Sequence, residues 1–242
     1  MDENSLSNRE DQFIDYLQSF NHPERNKRLE NVLHQRTRFV TVVLENLYQP
    51  HNASAVLRSC DCFGIQDVYI IESNQKLTFS KAITKNVHKW LNVIRFPNKG
   101  QDSLKECVSV LRAKGYKIAA TTPHTNQMDI HHLPVDEPIA LMFGSEKNGL
   151  SEMAMETADY HVYIPMHGFS ESLNISVCAA ICMDTVMRKV RDTHPDNVWK
   201  LPEKELQQLK MEWVRKSVRG VRQLEHRFRE ESDNQNQQVQ ND

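Results

Sequence analysis

Three short segments of this chain gather side chains that could do chemistry. The first is Asn52-Ala53-Ser54-Ala55-Val56-Leu57-Arg58. Asn52 can cap a helix by accepting a backbone N–H, Ala55 is small enough for close packing, and Arg58, two turns in, is a lone cation on a face otherwise suited to burial. The second is Phe143-Gly144-Ser145-Glu146-Lys147-Asn148-Gly149-Leu150-Ser151, directly after an apolar run. Its two glycines allow unusual backbone angles and let a ligand approach main-chain amides closely. The third runs from Ile164 to Ala180, where Ser172, Leu173 and Asn174 lead into a helix whose first N–H groups lack intrahelical acceptors. Each also has an ordinary reading: a capped helix with a surface arginine, a turn followed by the N-cap Ser151, and a helix start.

Several other chemistries are excluded. No G-x-G-x-x-G follows the first apolar run, which argues against a dinucleotide site. Gly144 to Ser151 has the glycine spacing of a P-loop, but Leu150 occupies the place of the phosphate-binding lysine. Gly168-Phe169-Ser170-Glu171-Ser172 lacks the closing glycine of a nucleophile elbow. Cys60 and Cys62 have no second pair at zinc spacing, and His131-His132 has no obvious third ligand, so no metal is expected.

The elements that must position these segments follow from periodicity. Residues 39–47, 67–73, 91–96, 116–122, 138–143 and 160–166 are short runs rich in β-branched and aliphatic residues, bounded by turn formers. Helical stretches at 52–63, 101–114, 151–158 and 174–191 alternate with them. The pattern predicts an α/β fold, a parallel sheet with helices on both faces, and the three segments fall at strand ends, where such sheets bind ligands. Before the sheet, 10–20 and 24–35 read as two helices broken at His22-Pro23. Beyond Pro195 and Pro202, residues 203–230 read as one helix. It has an apolar stripe through Leu206, Leu209, Trp213, Val221, Leu224 and Phe228, and a cationic stripe through Arg215, Arg219, Arg222, His226 and Arg229. Gly220 in its middle costs about 1 kcal/mol relative to Ala. The polar end, 231–242, is expected to be disordered.

Composition bounds the rest. The 242 residues hold 30 Lys+Arg against 32 Asp+Glu, a formal charge of −2. The acidic start is no signal peptide, no apolar run is long enough to span a membrane, and five cysteines suit reduced thiols in a cytoplasmic protein. Near-neutrality hides a partition. Residues 120–161 hold seven acids against Lys147, whereas 210–229 hold seven Lys/Arg against two Glu. Clustered cations bind phosphate locally whatever the total.

In that order after successive strands, N-x-x-A-x-x-R, G-x-E-x-x-G and I-P-M-x-G-x-x-x-S-L-N-x-S resemble the three motifs of the SpoU branch of the SPOUT RNA 2′-O-methyltransferases. The resemblance covers about 38–191, with 1–37 an N-terminal helical extension, 192–230 a basic C-terminal one and 231–242 a tail. Helices at both ends, without a separate N-terminal RNA-binding domain, are most similar to members acting on guanosine 18 of tRNA. A member acting on rRNA or another tRNA position is the alternative, and a non-catalytic RNA-binding protein on the same fold a more distant one. The resemblance implies a deep C-terminal trefoil knot, S-adenosylmethionine as cofactor, and a homodimer whose active sites take residues from both subunits. It further implies cofactor loops around Thr121, Gly144, Gly149, Ile164 and Leu173, and a catalytic Arg58 supported by Asn52, Glu146, Ser172 and Asn174. It leaves phosphate contacts to Arg25, Lys27, Arg28, Arg215, Arg219, Arg222 and Arg229.

Overall fold

Seven parallel strands form one sheet in the computed structural model. They are β1 (Val40–Glu45), β2 (Asp67–Ile71), β3 (Asn92–Phe96), β4 (Lys117–Thr121), β5 (Met128–Asp129), β6 (Ile139–Phe143) and β7 (Tyr160–Tyr163). Their order is β3-β2-β1-β6-β4-β7-β5. The structure describes residues 3–72, 77–80, 84, 87–123 and 127–239, with side chains described from residue 10 to 231 of these. Ser73, assigned to a strand from sequence, lies outside them. The two-residue edge strand β5 carries no periodicity of its own and was not expected.

Successive side chains along the strands pack on opposite faces of the sheet, as the pleat requires. Val42, Leu44, Val68, Ile70, Leu141 and Phe143 point to one face, under α3 (Pro50–Phe63) and α6 (Ile175–Thr193). Val43, Tyr69, Ile71, Ala140 and Met142 point to the other, under α4 (Gln101–Ala113) and α5 (Glu152–Thr157). Both faces are covered, so the central strands are largely apolar, with the polar Thr41, Glu45 and Asp67 buried among them. Each buried Val, Leu or Ile side chain contributes about 1.5–3 kcal/mol.

The chain divides into two compact units. The sheet unit spans 36–201 and includes the four-residue α7 (Asp196–Trp199). Residues 192–201 therefore belong with the sheet rather than with a C-terminal extension. The cause is local: Trp199 is buried, Thr37 Oγ1 donates to its carbonyl, and Leu201 N–H donates to Arg36 O at 3.3 Å.

The second unit joins both termini, α1 (Glu3–Gln18) and α2 (Pro23–Leu33) with α8 (Glu203–Ser217) and α9 (Val221–Val239). Phe13 and Tyr16 of α1 pack on Phe228 of α9 with ring centroids 5.0 and 5.1 Å apart. The single helix expected over 203–230 is two. The first ends at Ser217, where Val218 turns extended, and Gly220 lies in the link at φ +67°, a left-handed conformation incompatible with a continuous helix, so glycine sits between two helices rather than weakening the middle of one. The C-terminal segment, expected to be disordered from 231, continues α9 to Val239. Among the described residues no helix is long and apolar enough to cross a membrane.

Candidate active site

A cavity of about 710 Å³ opens at the carboxyl ends of β4, β6 and β7. Its walls are the chain after β4 (Thr121, Thr122), the glycine loop after β6 (Gly144 to Leu150) and the loop after β7 (Ile164, Met166, Ser172 to Ile175). The start of α3 and the inner face of α6 close it through Gln49, Asn52, Cys178 and Cys182. β6 lies between β1 and β4, so Glu146 stands at the end of an interior strand and not at the sheet edge.

The glycine loop is pinned by its own main chain. Ser145 N–H donates to Gly149 O at 3.0 Å, and Gly149 N–H returns to Ser145 O at 2.9 Å. Closing so tight a loop needs φ +67° at Gly149. It also brings the Gly149 backbone so near Gly144 that a Cβ there would lie 2.1 Å from Gly149 C. Both glycines are structural requirements of this loop conformation. Beyond it, Ser151 caps α5, accepting from Ala154 N–H at 3.2 Å. Ser151 is held in turn by the buried Glu45, whose carboxylate accepts from Ser151 N–H at 2.8 Å and Oγ–H at 2.6 Å. Sequence reading passed over Glu45; the signal was a carboxylate ending an otherwise apolar strand.

The three motifs meet in one hydrogen-bond chain. Asn174 caps α6, which starts where the sequence placed it, accepting from Ser176 N–H at 2.9 Å, and its Nδ2 donates to Asn52 Oδ1 at 3.3 Å. Asn52 Nδ2 donates to Glu146 Oε1 at 2.5 Å and to Gln49 Oε1 at 3.1 Å. This corrects the role of Asn52. Pro50, with its fixed φ, starts α3 two residues early, so Gln49 is the N-cap residue and Asn52 lies in the first turn. There its side chain is free to link motifs instead of capping.

Cys178 and Cys182, one turn apart on α6, give the cavity two thiols. The hydrogen bond from Cys182 stabilises the thiolate of Cys178 and holds its pKa below the ordinary thiol value. That bond and burial together push Cys182 well above it. Away from the cavity, burial raises Cys107 to about 12 and also pushes the Cys60 thiol up.

Of the expected site residues, Asn52, Glu146, Ser172 and Asn174 line this cavity, with Thr121, Gly144, Gly149, Ile164 and Leu173. Arg58 does not. Six residues after Asn52 it falls about a third of a turn away around α3, is exposed, and pairs with no described carboxylate. Arg25, Lys27, Arg28, Arg215, Arg219, Arg222 and Arg229 all lie exposed on the helical unit. Arg215 is partly spent on that unit's own cohesion: its Nε donates to Glu225 at 3.0 Å, and its guanidinium lies 5.6 Å from the Phe13 ring centre. The break at Gly220 divides the expected cationic stripe between two helices.

A parallel sheet whose strand-end loops wrap one cavity, with a rigid glycine turn on its wall, defines an α/β protein built to hold a small molecule at the sheet's carboxyl end. The chain belongs to the SpoU methylase family: the family described as SpoU rRNA Methylase matches residues 39–184. It is 33% identical to the tRNA (guanosine(18)-2′-O)-methyltransferase of Borreliella burgdorferi, over 88% of this chain and 94% of that protein. In structure it is similar to the TrmH/SpoU tRNA modifying enzyme of A. aeolicus, with a TM-score of 0.70 and 29% identity over 81% of this chain and 97% of that one. It is also similar to the SpoU methyltransferase AviRb of Streptomyces viridochromogenes, solved in complex with AdoMet. That TM-score is 0.56, with 25% identity over 64% of this chain and 61% of that one.

Proposed function

We propose that this chain transfers a methyl group from S-adenosylmethionine to the ribose 2′-hydroxyl of guanosine 18 in tRNA. The observation that carries the reading is the convergence of all three motifs on one cavity through Asn174, Asn52 and Glu146. The Borreliella burgdorferi relative that bears this activity by name matches 88% of this chain and 94% of its own length.

The cavity fits the cofactor. Its volume lies within the range of small-molecule sites, about 300–1,000 Å³. The close approach of Gly144 to the Gly149 backbone shapes a wall of main-chain amides that a side chain at Gly144 would destroy. Thr121, Gly144, Gly149, Ile164 and Leu173 would hold the adenosyl and methionine parts. When bound, S-adenosylmethionine supplies an electrophilic methyl on a sulfonium. The chain's own residues must align the hydroxyl and stabilise the charge that grows on its oxygen. Asn52 keeps Glu146 in place, while Ser172 and Asn174 shape the ribose side of the cavity. Arg58 grips the adjacent phosphate and steadies the forming oxyanion; a guanidinium is not deprotonated in proteins, so it is no base.

The position of Arg58 outside its own cavity supports a homodimer in which it serves the partner's site. The C-terminal knot of the family, a catalytic domain built on the sheet unit with helical extensions before and after it, and a cytoplasmic location complete the proposal. The exposed cations of the helical unit would contact the tRNA backbone, positioning the substrate without reading its sequence. Incubation with labelled S-adenosylmethionine and unmodified tRNA, followed by mapping of the methylated ribose, tests it. Label at guanosine 18 is expected; label in rRNA alone would overturn the assignment of the substrate.

A further inference from the structure

A second cavity, about 700 Å³, lies beside the first at the carboxyl ends of β1 and β2. The two share a wall. Tyr48 and Ser151 line the second, and their chain neighbours Gln49 and Leu150 line the first, with adjacent Cα atoms about 3.8 Å apart. We propose that this second cavity receives the guanine base whose ribose is methylated next door. The inference rests on the reading of the chain as a guanosine 2′-O-methyltransferase.

The chemistry of the walls selects the ligand. Tyr48 is 50% exposed and has no ring partner among the described residues, an aromatic face of the kind on which unstacked RNA bases rest. Glu152 and Glu156 lie one turn apart on α5 and line the same space. Like charges at that spacing repel, and neither pairs with a cation among the described residues. The N-terminal end of α5 favours Glu152, but Glu156 stands at the opposite end, where the helix dipole disfavours an anion. A carboxylate kept there without a partner has acceptors to offer a donor. The other two acids are already committed, Glu45 to Ser151 and Glu72 to Arg95. Two uncommitted carboxylates on one helix face suit an edge that carries two adjacent donors. Guanine presents that edge, N1–H beside N2–H₂, with O6 as an acceptor next to them. α4 starts at the cavity with no side-chain cap on its first N–H groups, a donor for O6. Adenine carries an acceptor at N1, and hypoxanthine lacks the 2-amino group.

The test uses full-length protein and tRNA with guanosine or inosine at the target position, assayed by single-turnover methylation. The wild type should prefer guanosine by about tenfold or more, because a site built for a donor rejects the analogue lacking it. The double variant Glu152→Gln, Glu156→Gln should methylate guanosine more slowly and bring the two rates within about twofold, with unchanged S-adenosylmethionine affinity and an unchanged melting temperature. Tyr48→Phe should keep activity that Tyr48→Ala loses. A double variant that keeps the wild-type ratio, or a wild type indifferent to inosine, overturns the proposal while leaving the methyltransferase reading intact. A wild type that methylates no tRNA guanosine overturns both. Free guanosine monophosphate binding that the double variant abolishes, with the RNA ratio unmoved, would make the cavity a nucleotide site and also overturn the proposal.

Discussion

Asn52 donates to Glu146 at 2.5 Å across 94 residues of sequence, tying the first turn of α3 to the glycine loop. A hydrogen bond to a charged group is worth about 1.5–3 kcal/mol. Asn52→Ala should therefore slow methyl transfer by about 10- to 100-fold. Asn52→Asp should be worse, since it sets two carboxylates against each other. Glu146→Ala on top of Asn52→Ala should add little, because the interaction is already gone. Single-turnover rates for the wild type, Asn52→Ala, Glu146→Ala and the double alanine variant give the coupling, and strict additivity would sink the pairing as a unit.

Gly144 of the cavity wall and Gly168, in the loop after β7, differ in what surrounds them. At Gly144 a Cβ would lie 2.1 Å from backbone carbon, which cannot be relieved by rotating a side chain. At Gly168 the same Cβ meets nothing within 4 Å. Gly144→Ala should lose most S-adenosylmethionine affinity by calorimetry, whereas Gly168→Ala should bind normally. Equal affinities in the two variants would show that the loop moves freely.

Gly220 offers a test of sign. In the middle of one continuous helix, Gly220→Ala would stabilise by about 1 kcal/mol. At φ +67°, with the Gln223 side chain 3.1 Å from the new Cβ, it should destabilise instead, by about 1–2 kcal/mol. Thermal unfolding of the two proteins decides it, and a raised melting temperature would restore the single helix.

That helix break marks the limit of what periodicity reveals. The apolar stripe through Leu206, Leu209 and Trp213 resumes at Leu224 and Phe228, so the interval between them is legible only from glycine, whose φ depends on tertiary packing. The sheet was clearer, because strands buried on both faces, such as 139–143, are short apolar runs with turn formers at each end. The Asn52–Glu146–Asn174 cluster was legible as three separate segments, but not as hydrogen bonds, which depend on where Pro50 starts α3. Nothing in the sequence marked the second cavity, since Tyr48, Glu152 and Glu156 form no motif. They become neighbours only when β1 and β6 pair.

The cationic helices should bind RNA unevenly. Arg219, Arg222 and Arg229 are exposed, while Arg215 is engaged by Glu225 and Phe13. Replacing the first three with Ala should weaken tRNA binding and lower the salt slope by about 0.7–0.9 for each phosphate no longer neutralised. Arg215→Ala should chiefly lower the melting temperature of the helical unit. Filter binding between low and moderate salt separates these outcomes. An unchanged slope in the triple variant would return those arginines to an ordinary solvated face.

The thiols of the cavity make the last prediction, one about pH. Cys178 has its pKa lowered by the hydrogen bond from Cys182, so its thiolate becomes populated at a lower pH than that of an ordinary cysteine. Cys107, raised to about 12, stays a thiol throughout the working range. With iodoacetamide near neutral pH, Cys178 should be labelled well before Cys107. Its rate should level off on the acidic side of the usual thiol range, because further base adds no more thiolate. S-adenosylmethionine should protect Cys178, which lines the cavity, and leave labelling of the exposed Cys62 on α3 unchanged. Peptide mass spectrometry with and without cofactor reads each cysteine separately. Equal protection of Cys62 and Cys178 would mean that the cofactor tightens the whole fold, and would remove the evidence that it occupies this cavity.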